Sequence, residues 1–383
     1  MSTGGSHRVI ELVQYGMGGV GRALFGLVTQ HATEIYNRLG VDLRYRALVD
    51  SSTVLHLDEN SALSPQHLRH LQAGLEANPP EKLRHQQGAV QKPSDLAVLA
   101  TELDRLRRED RGARLIVVDV SGASETIMEP VITAALRQGQ RAVLANKRPL
   151  CGPIADYRQM INAAGTGANR LRYETTVGAA LPVISTLASL QDAQDEVRQV
   201  NGTFSGTLAY LTSRLEAAIP YSQAVREAKE QGFTEPDPRD DLGGVDVARK
   251  ALILARLLGS SLELKDVEIE PLYPPALAEL DIPGFMESLP QLDAEYARRV
   301  EEAAREGKVL RYLATVTRNS CRVGLEKVEK DSPFGRLQGT NNMIVFRTAR
   351  YDQSPLIVQG PGAGAELTAS GVLADILSLA RRH

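Results

Sequence analysis

Cysteine is scarce in this sequence, with only Cys151 and Cys321 in 383 residues. The two lie far apart and match no metal-ligand spacing, which excludes a disulfide scaffold and points to inert thiols in a reducing compartment. Charge of one sign is also missing. A net charge of −3 carries no electrostatic footprint for nucleic acid or an anionic membrane. No apolar run approaches a membrane span, and the N-terminus MSTGGSHRVIELVQYG has no long apolar segment of the signal-peptide kind. The histidines form no His-x-x-x-His or similar ligand spacing, so no catalytic zinc or iron site is expected. No Ser–His–Asp or reactive-cysteine arrangement is evident either. The expectation is a cytoplasmic protein that acts on a small molecule, without nucleic-acid or membrane partners. What is present is ordinary for a globular chain: 43% hydrophobic and 24% charged residues, in a length that suffices for two cores.

Strand and helix patterns alternate in the first part. Val9 to Tyr15 reads as a buried strand, followed by a glycine-rich turn and an apolar helix from Arg22 to Gln30. Leu43 to Val49, Leu115 to Val120 and Arg141 to Ala145 read as further strands, the last ending in Asn146 and Lys147. The stretch from Asn60 to Pro93 is polar and reads as a surface excursion. Such alternation predicts a doubly wound parallel sheet of Rossmann-like α/β type. The character changes near Cys151, after which strands (Leu171–Thr176, Arg198–Thr203) mix with helices as in an α+β unit. We therefore expect a dinucleotide-binding domain over 1–150, rejoined by a C-terminal helix in 360–383. Residues 151–359 form the expected substrate-binding, catalytic and dimerisation domain.

The turn after the first strand is Gly16-Met17-Gly18-Gly19-Val20-Gly21, a G-x-G-x-x-G between strand and helix. The first glycine permits the tight turn, the second lets a pyrophosphate approach the backbone, and the third allows close helix–strand packing. The phosphates then sit at the positive end of the helix. Asp50 closes the next strand, where a carboxylate accepts hydrogen bonds from a ribose 2′-hydroxyl and favours NAD. The same residue suits a simple turn cap, and Ser51 and Ser52 suit a 2′-phosphate, so NAD and NADP both stay open. Ser121, at the end of a parallel strand, is placed to touch a nicotinamide.

The densest chemistry lies in GFTEPDPRDDLGGVDVARK, Gly232 to Lys250. It gathers Glu235, Asp240, Asp241, Asp246 and Lys250. Pro236 and Pro238 keep its first half out of a long helix. From Val245 the pattern is helical, with Ala248, Ala251, Leu252, Ala255 and Leu258 as an apolar stripe. Asp246 and Lys250, four apart, share one face of that helix.

Several separated segments resemble homoserine dehydrogenases: GMGGVG, ANKRPL (Ala145–Leu150), YETTVGAALP (Tyr173–Pro182), NGTFSGTLAYL (Asn201–Leu211), the acidic segment above, and GPGAGAELTASGVL (Gly360–Leu373). The resemblance covers nearly the whole chain in order, and the EPDPRDDL run is its most specific part. It implies reversible reduction of aspartate 4-semialdehyde to homoserine with NADH or NADPH, in a short monofunctional form without regulatory or kinase domains, acting as a homodimer. It also implies roles for individual residues. Lys250 exchanges the proton on the C4 oxygen, supported by Asp246, and Lys147 is a second active-site lysine near cofactor and substrate. Glu235, Asp240, Asp241, Thr176 and Gly178 bind substrate. Gly364 returns to the nicotinamide, and Glu174, Val177, Ala179 and Leu181 hold a structural sodium ion. Thr175 and Ala180 depart from the family pattern beside that sodium site. Two other readings stay open: a dehydrogenase of another small amino or hydroxy acid, and a non-catalytic dinucleotide sensor.

Overall fold

The apolar segments of the first part do build a parallel sheet. The computed structural model describes residues 8–57, 114–166 and 169–381, together with 71–75, 77, 83 and 89–91. Most of the polar stretch 60–93 lies outside the described residues. The strands are β1 (Arg8–Tyr15), β2 (Val41–Val49), β3 (Thr53–His56), β4 (Ala89–Gln91), β5 (Arg114–Asp119), β6 (Arg141–Leu144) and β7 (Leu171–Arg172). Among the described residues they form one sheet in the order β4-β3-β2-β1-β5-β6-β7. β2, β1, β5, β6 and β7 run parallel, and β3 and β4 add an antiparallel edge. The order reverses between β1 and β5, which creates a topological switch point at their C-terminal ends. Ile10, Leu12, Ile116, Val118 and Val143 are buried from the sheet, against Leu24 and Phe25 of the first helix and Val372 and Ile376 of the last.

The first helix spans Gly19–Leu39, longer at both ends than the expected 22–30. It starts inside the glycine motif and stops at Gly40, whose left-handed φ of 64° turns the chain into β2. The expected strand over 171–176 is shorter, ending at Arg172. Glu174 to Thr176 coil into a 3-10 turn because their polar groups bond elsewhere. The Thr176 hydroxyl donates to the Tyr173 carbonyl at 2.7 Å, and the Glu174 N–H donates to the Asp375 carboxylate at 3.0 Å.

The chain divides into two compact units, Met1–Ala180 with Gly364–His383, and Leu181–Ala363. These divisions differ from the expected 150/151 and 359/360. The parallel sheet continues past residue 150, since β7 pairs with β6 and the helix Ile154–Ala163 packs on the helix Glu125–Arg137. The second unit holds β8 (Val197–Thr203), β9 (Glu268–Ile269), β10 (Lys308–Val316), β11 (Cys321–Glu329), β12 (Asn341–Thr348) and β13 (Leu356–Pro361). Their order is β13-β12-β8-β10-β11-β9, antiparallel except where β9 meets β11. The helices Gly206–Glu216, Val245–Leu257 and Asp293–Arg305 pack against this sheet. No described helix is long and apolar enough to cross a membrane. Cys151 and Cys321 are buried free thiols, and burial pushes Cys321 up to about 12, which keeps it protonated and inert.

Candidate active site

In the first unit the glycine motif has the geometry a phosphate needs. Gly16 has φ +104°, and a Cβ there would lie 2.7 Å from the Ser121 nitrogen and the Val120 carbonyl. The turn after β1 therefore presses directly on the end of β5. A Cβ on Gly21 would collide with the Gly16 carbonyl, whereas one on Gly18 would meet nothing within 4 Å. Open space thus lies over Gly18, the N-cap of the helix, and no side chain caps that end. Among the described residues no side chain bonds its N–H groups, and such a helix end suits an anion. Buried Gln14 braces the turn, donating to the Gly16 and Gly21 carbonyls at 3.0 Å each and to the Met17 sulfur at 3.1 Å. Val20 packs against the core. Asp50 caps the next turn: its Oδ1 accepts from the Ser52 and Thr53 N–H groups at 2.8 and 2.7 Å.

Ser121 and the Asn146–Lys147 loop stand at the ends of β5 and β6. Asp119, fully buried, joins them. Its Oδ1 accepts from the Ser121 hydroxyl at 2.6 Å and the Ser121 N–H at 3.0 Å, and its Oδ2 accepts from the Asn146 amide at 3.0 Å. Burial raises this carboxyl to about 6 against those bonds, which favour the ionised form. Lys147 begins the short helix Arg148–Cys151. Gly364, φ +126°, opens the C-terminal helix with no atom nearer than 3.9 Å to a Cβ placed there. Gly178 and Ala179 have consecutive positive φ values, 82° and 53°, so the chain after Glu174 is a left-handed turn.

In the second unit the acidic segment and its helix form a proton-handling group. Lys250 Nζ lies 2.8 Å from Asp246 Oδ2 and donates to the Phe204 carbonyl at 2.6 Å. Two of the three ammonium donors are thereby used, and the ammonium itself is mostly buried while Asp246 is partly exposed. Asp241 is a brace: it accepts from the Glu235 N–H at 2.8 Å and from the Thr207 hydroxyl at 3.2 Å. Burial raises its carboxyl above the usual range. With its backbone held, Glu235 presents an exposed side chain, as does Asp240. Asp237, passed over in the sequence, pairs with Arg239, which holds its carboxyl below the ordinary range.

Asp119, Phe204, Thr207 and Asp375 were not legible as site residues. Phe204 acts through its carbonyl, which every residue has. Asp119 had one signal, an acid closing an otherwise apolar strand.

An uncapped helix N-terminus at a switch point seats dinucleotide phosphates, and a lysine held by a carboxylate handles protons. Both are features of the class of NAD(P)-dependent oxidoreductases. The homoserine dehydrogenase family matches residues 182–377, and the homoserine dehydrogenase NAD-binding domain matches residues 16–174. A bifunctional aspartokinase/homoserine dehydrogenase of Zea mays is 36% identical over 368 residues, 95% of this chain and 38% of that one. A homoserine dehydrogenase of Emericella nidulans is 42% identical over 282 residues, 70% of this chain and 76% of that one. A solved Candida auris structure of unknown function has a TM-score of 0.84 at 28% identity, covering 98% of this chain and 99% of that one. The chain belongs to the homoserine dehydrogenase family. It spans less than half the length of the bifunctional relatives it matches.

Proposed function

We propose that this chain catalyses the reversible NAD(P)-dependent reduction of L-aspartate 4-semialdehyde to L-homoserine. The observation that carries the reading is Lys250, whose ammonium is oriented by Asp246 and the Phe204 carbonyl and keeps one donor for a substrate oxygen. Reducing an aldehyde requires a hydride on carbon and a proton on oxygen. A bound nicotinamide supplies the hydride. Lys250 gives the proton to the C4 oxygen and takes it back in the reverse direction, while Asp246 keeps the ammonium aimed. Glu235, with Asp240 beside it, binds the substrate ammonium on a loop that Asp241 holds rigid. Thr176, Gly178 and Lys147 are read as further substrate-binding residues.

Gly16–Gly21 would hold the dinucleotide, with Ser121 and Gly364 at its nicotinamide end. The second Asp50 oxygen is left for a ribose hydroxyl, which supports NAD over NADP. The left-handed turn at Gly178–Ala179 supports a sodium site of carbonyls from Val177, Ala179 and Leu181 with Glu174. Replacing sodium by choline then lowers the melting temperature; an unchanged melt removes that site. A homodimer formed through the second sheet completes the reading.

The test is the appearance of NADH or NADPH with homoserine, for wild type and Lys250→Ala. General acid–base catalysis contributes roughly 10²–10⁴-fold, so turnover should fall by about that factor, and by less in Asp246→Ala. Full turnover in Lys250→Ala would remove the lysine from the mechanism. Absence of wild-type turnover with either cofactor, despite dinucleotide binding, would sink the homoserine reading. The ratio of rates with the two cofactors decides the role of Asp50.

A further inference from the structure

Among the described residues Asp119 is a fully buried carboxylate at the switch point, and its side chain takes no part in the strand pairing. β5 ends at Asp119, and the strand pairing there is made by main-chain atoms: the Asp119 carbonyl accepts from the Ala145 N–H at 2.8 Å. The side chain instead takes three donors from two separate loops, Ser121 after β5 and Asn146 after β6. Asn146 passes the constraint on. Its amide also donates to the Ala123 carbonyl at 2.9 Å, and its Oδ1 accepts from the Arg148 N–H at 3.1 Å, across Lys147. Ser121 closes the other end, its hydroxyl oxygen accepting from the Ala123 N–H at 3.2 Å. Ser121 in turn abuts Gly16, the first glycine of the dinucleotide turn.

We propose that Asp119 is a positioning residue for the dinucleotide, its carboxylate locking the Ser121 loop and the Asn146–Lys147 loop into one frame at the nicotinamide end of the sheet. This role rests on the proposed dinucleotide being held at this switch point, whichever alcohol is oxidised. An apolar side chain or an amide would fill the same space at lower cost to folding, because burying an ionised carboxylate is unfavourable even when it is hydrogen-bonded. A carboxylate accepts from all three donors through its two oxygens and brings no competing donor of its own. An asparagine keeps one acceptor oxygen for Ser121 and turns an N–H₂ toward the Asn146 N–H₂, so the link between the loops is lost while the shape remains.

The experiment uses the full chain with Asp119→Asn, Asn146→Ala and the double variant. NADH affinity is read by fluorescence without substrate, beside thermal melting at pH 8. The expected result is NADH binding weakened about tenfold in each single variant, one lost charged hydrogen bond by free energy. The double variant is no weaker than the singles, since both act through one bond. Asp119→Asn should melt no lower than wild type, which separates positioning from structural support. Wild-type affinity in Asp119→Asn would overturn the proposal. So would additive losses in the double variant, or a lowered melt with affinity per folded molecule intact. Should Asp119→Asn fail to fold, Asn146→Ala decides alone, because it leaves the buried carboxylate in place; unchanged NADH affinity there overturns the proposal. Binding loss supports the proposal whether or not wild type oxidises homoserine, so its failure and that of the homoserine assignment are distinguishable.

Discussion

Three carboxylates near the ends of strands or helices have three different fates, and burial decides among them. Asp50 is half-exposed and caps a turn, Asp246 is part-exposed and pairs with Lys250, and Asp119 is buried among neutral donors. Desolvation therefore dominates at Asp119 and raises its carboxyl from 3.8 to about 6. The sign of the pH dependence follows. A raised folded-state value means that stability from this group is full below pH ~4 and is lost as the pH climbs to about 6. The loss is on the order of 3 kcal/mol by the linkage relation, as the upper bound for so buried a group. Denaturant melts of wild type and Asp119→Asn at pH 4 and pH 8 should show wild type losing ground to the variant at the higher pH. A constant difference would show that Asp119 does not titrate in that window. All three aspartates look alike in the sequence, each following or opening an apolar run, because exposure is not written locally.

At the scale of elements, the C-terminal helix Ala365–Arg381 shows how one face is shaped by the segment it covers. A Cβ on Gly371 would lie 2.5 Å from the Thr175 methyl and 3.1 Å from the Ala180 Cα. One turn later, buried Asp375 accepts the Glu174 N–H. Thr175 and Ala180 thus meet on the glycine that makes room for them. Gly371→Ala gains about 1 kcal/mol of helix propensity but overpacks a site whose nearest neighbours include backbone, a cost of typically 1–3 kcal/mol. Overpacking wins, so the variant should be less stable by about 1 kcal/mol in urea unfolding. Thr175→Ser, which removes the offending methyl, should recover part of the loss. A Gly371→Ala variant as stable as wild type would show that the helix shifts freely. The pattern GVLADILSLA announces a helix; that Gly371 faces Thr175 depends on residues nearly two hundred positions away.

At the scale of the whole molecule, the second sheet carries helices against it and also a polar ladder across β8, β10 and β11. Gln199 donates to Asn201, Asn201 to Thr315, and Thr315 to Glu326, at 2.9, 2.8 and 3.2 Å. A groove of about 580 Å³ follows these residues, with Arg322 and Lys327 at its edge. We propose this face as the dimer contact. Sedimentation equilibrium should give twice the 41.6 kDa chain mass, and Thr315→Arg, which places an unpaired cation in the ladder, should shift it toward one chain. A wild-type mass of one chain would remove the homodimer.

The sequence by itself determined the parallel sheet, the glycine-rich turn after β1 and the Asp246–Lys250 pair. Each is set by spacing of a few residues: alternation of strands and helices, glycines where a Cβ cannot fit, and a four-residue step on a helix. It also carried the order of segments that marks the family. Only the tertiary structure decided the rest. It placed the unit boundary at 180/181 because β7 pairs with a strand remote in sequence. It showed what holds Asp241 in place, because Thr207 and the Glu235 N–H converge on it. And it made Asp119 the link between two loops, because hydrogen bonds and desolvation depend on distance in space, which a linear chain does not record.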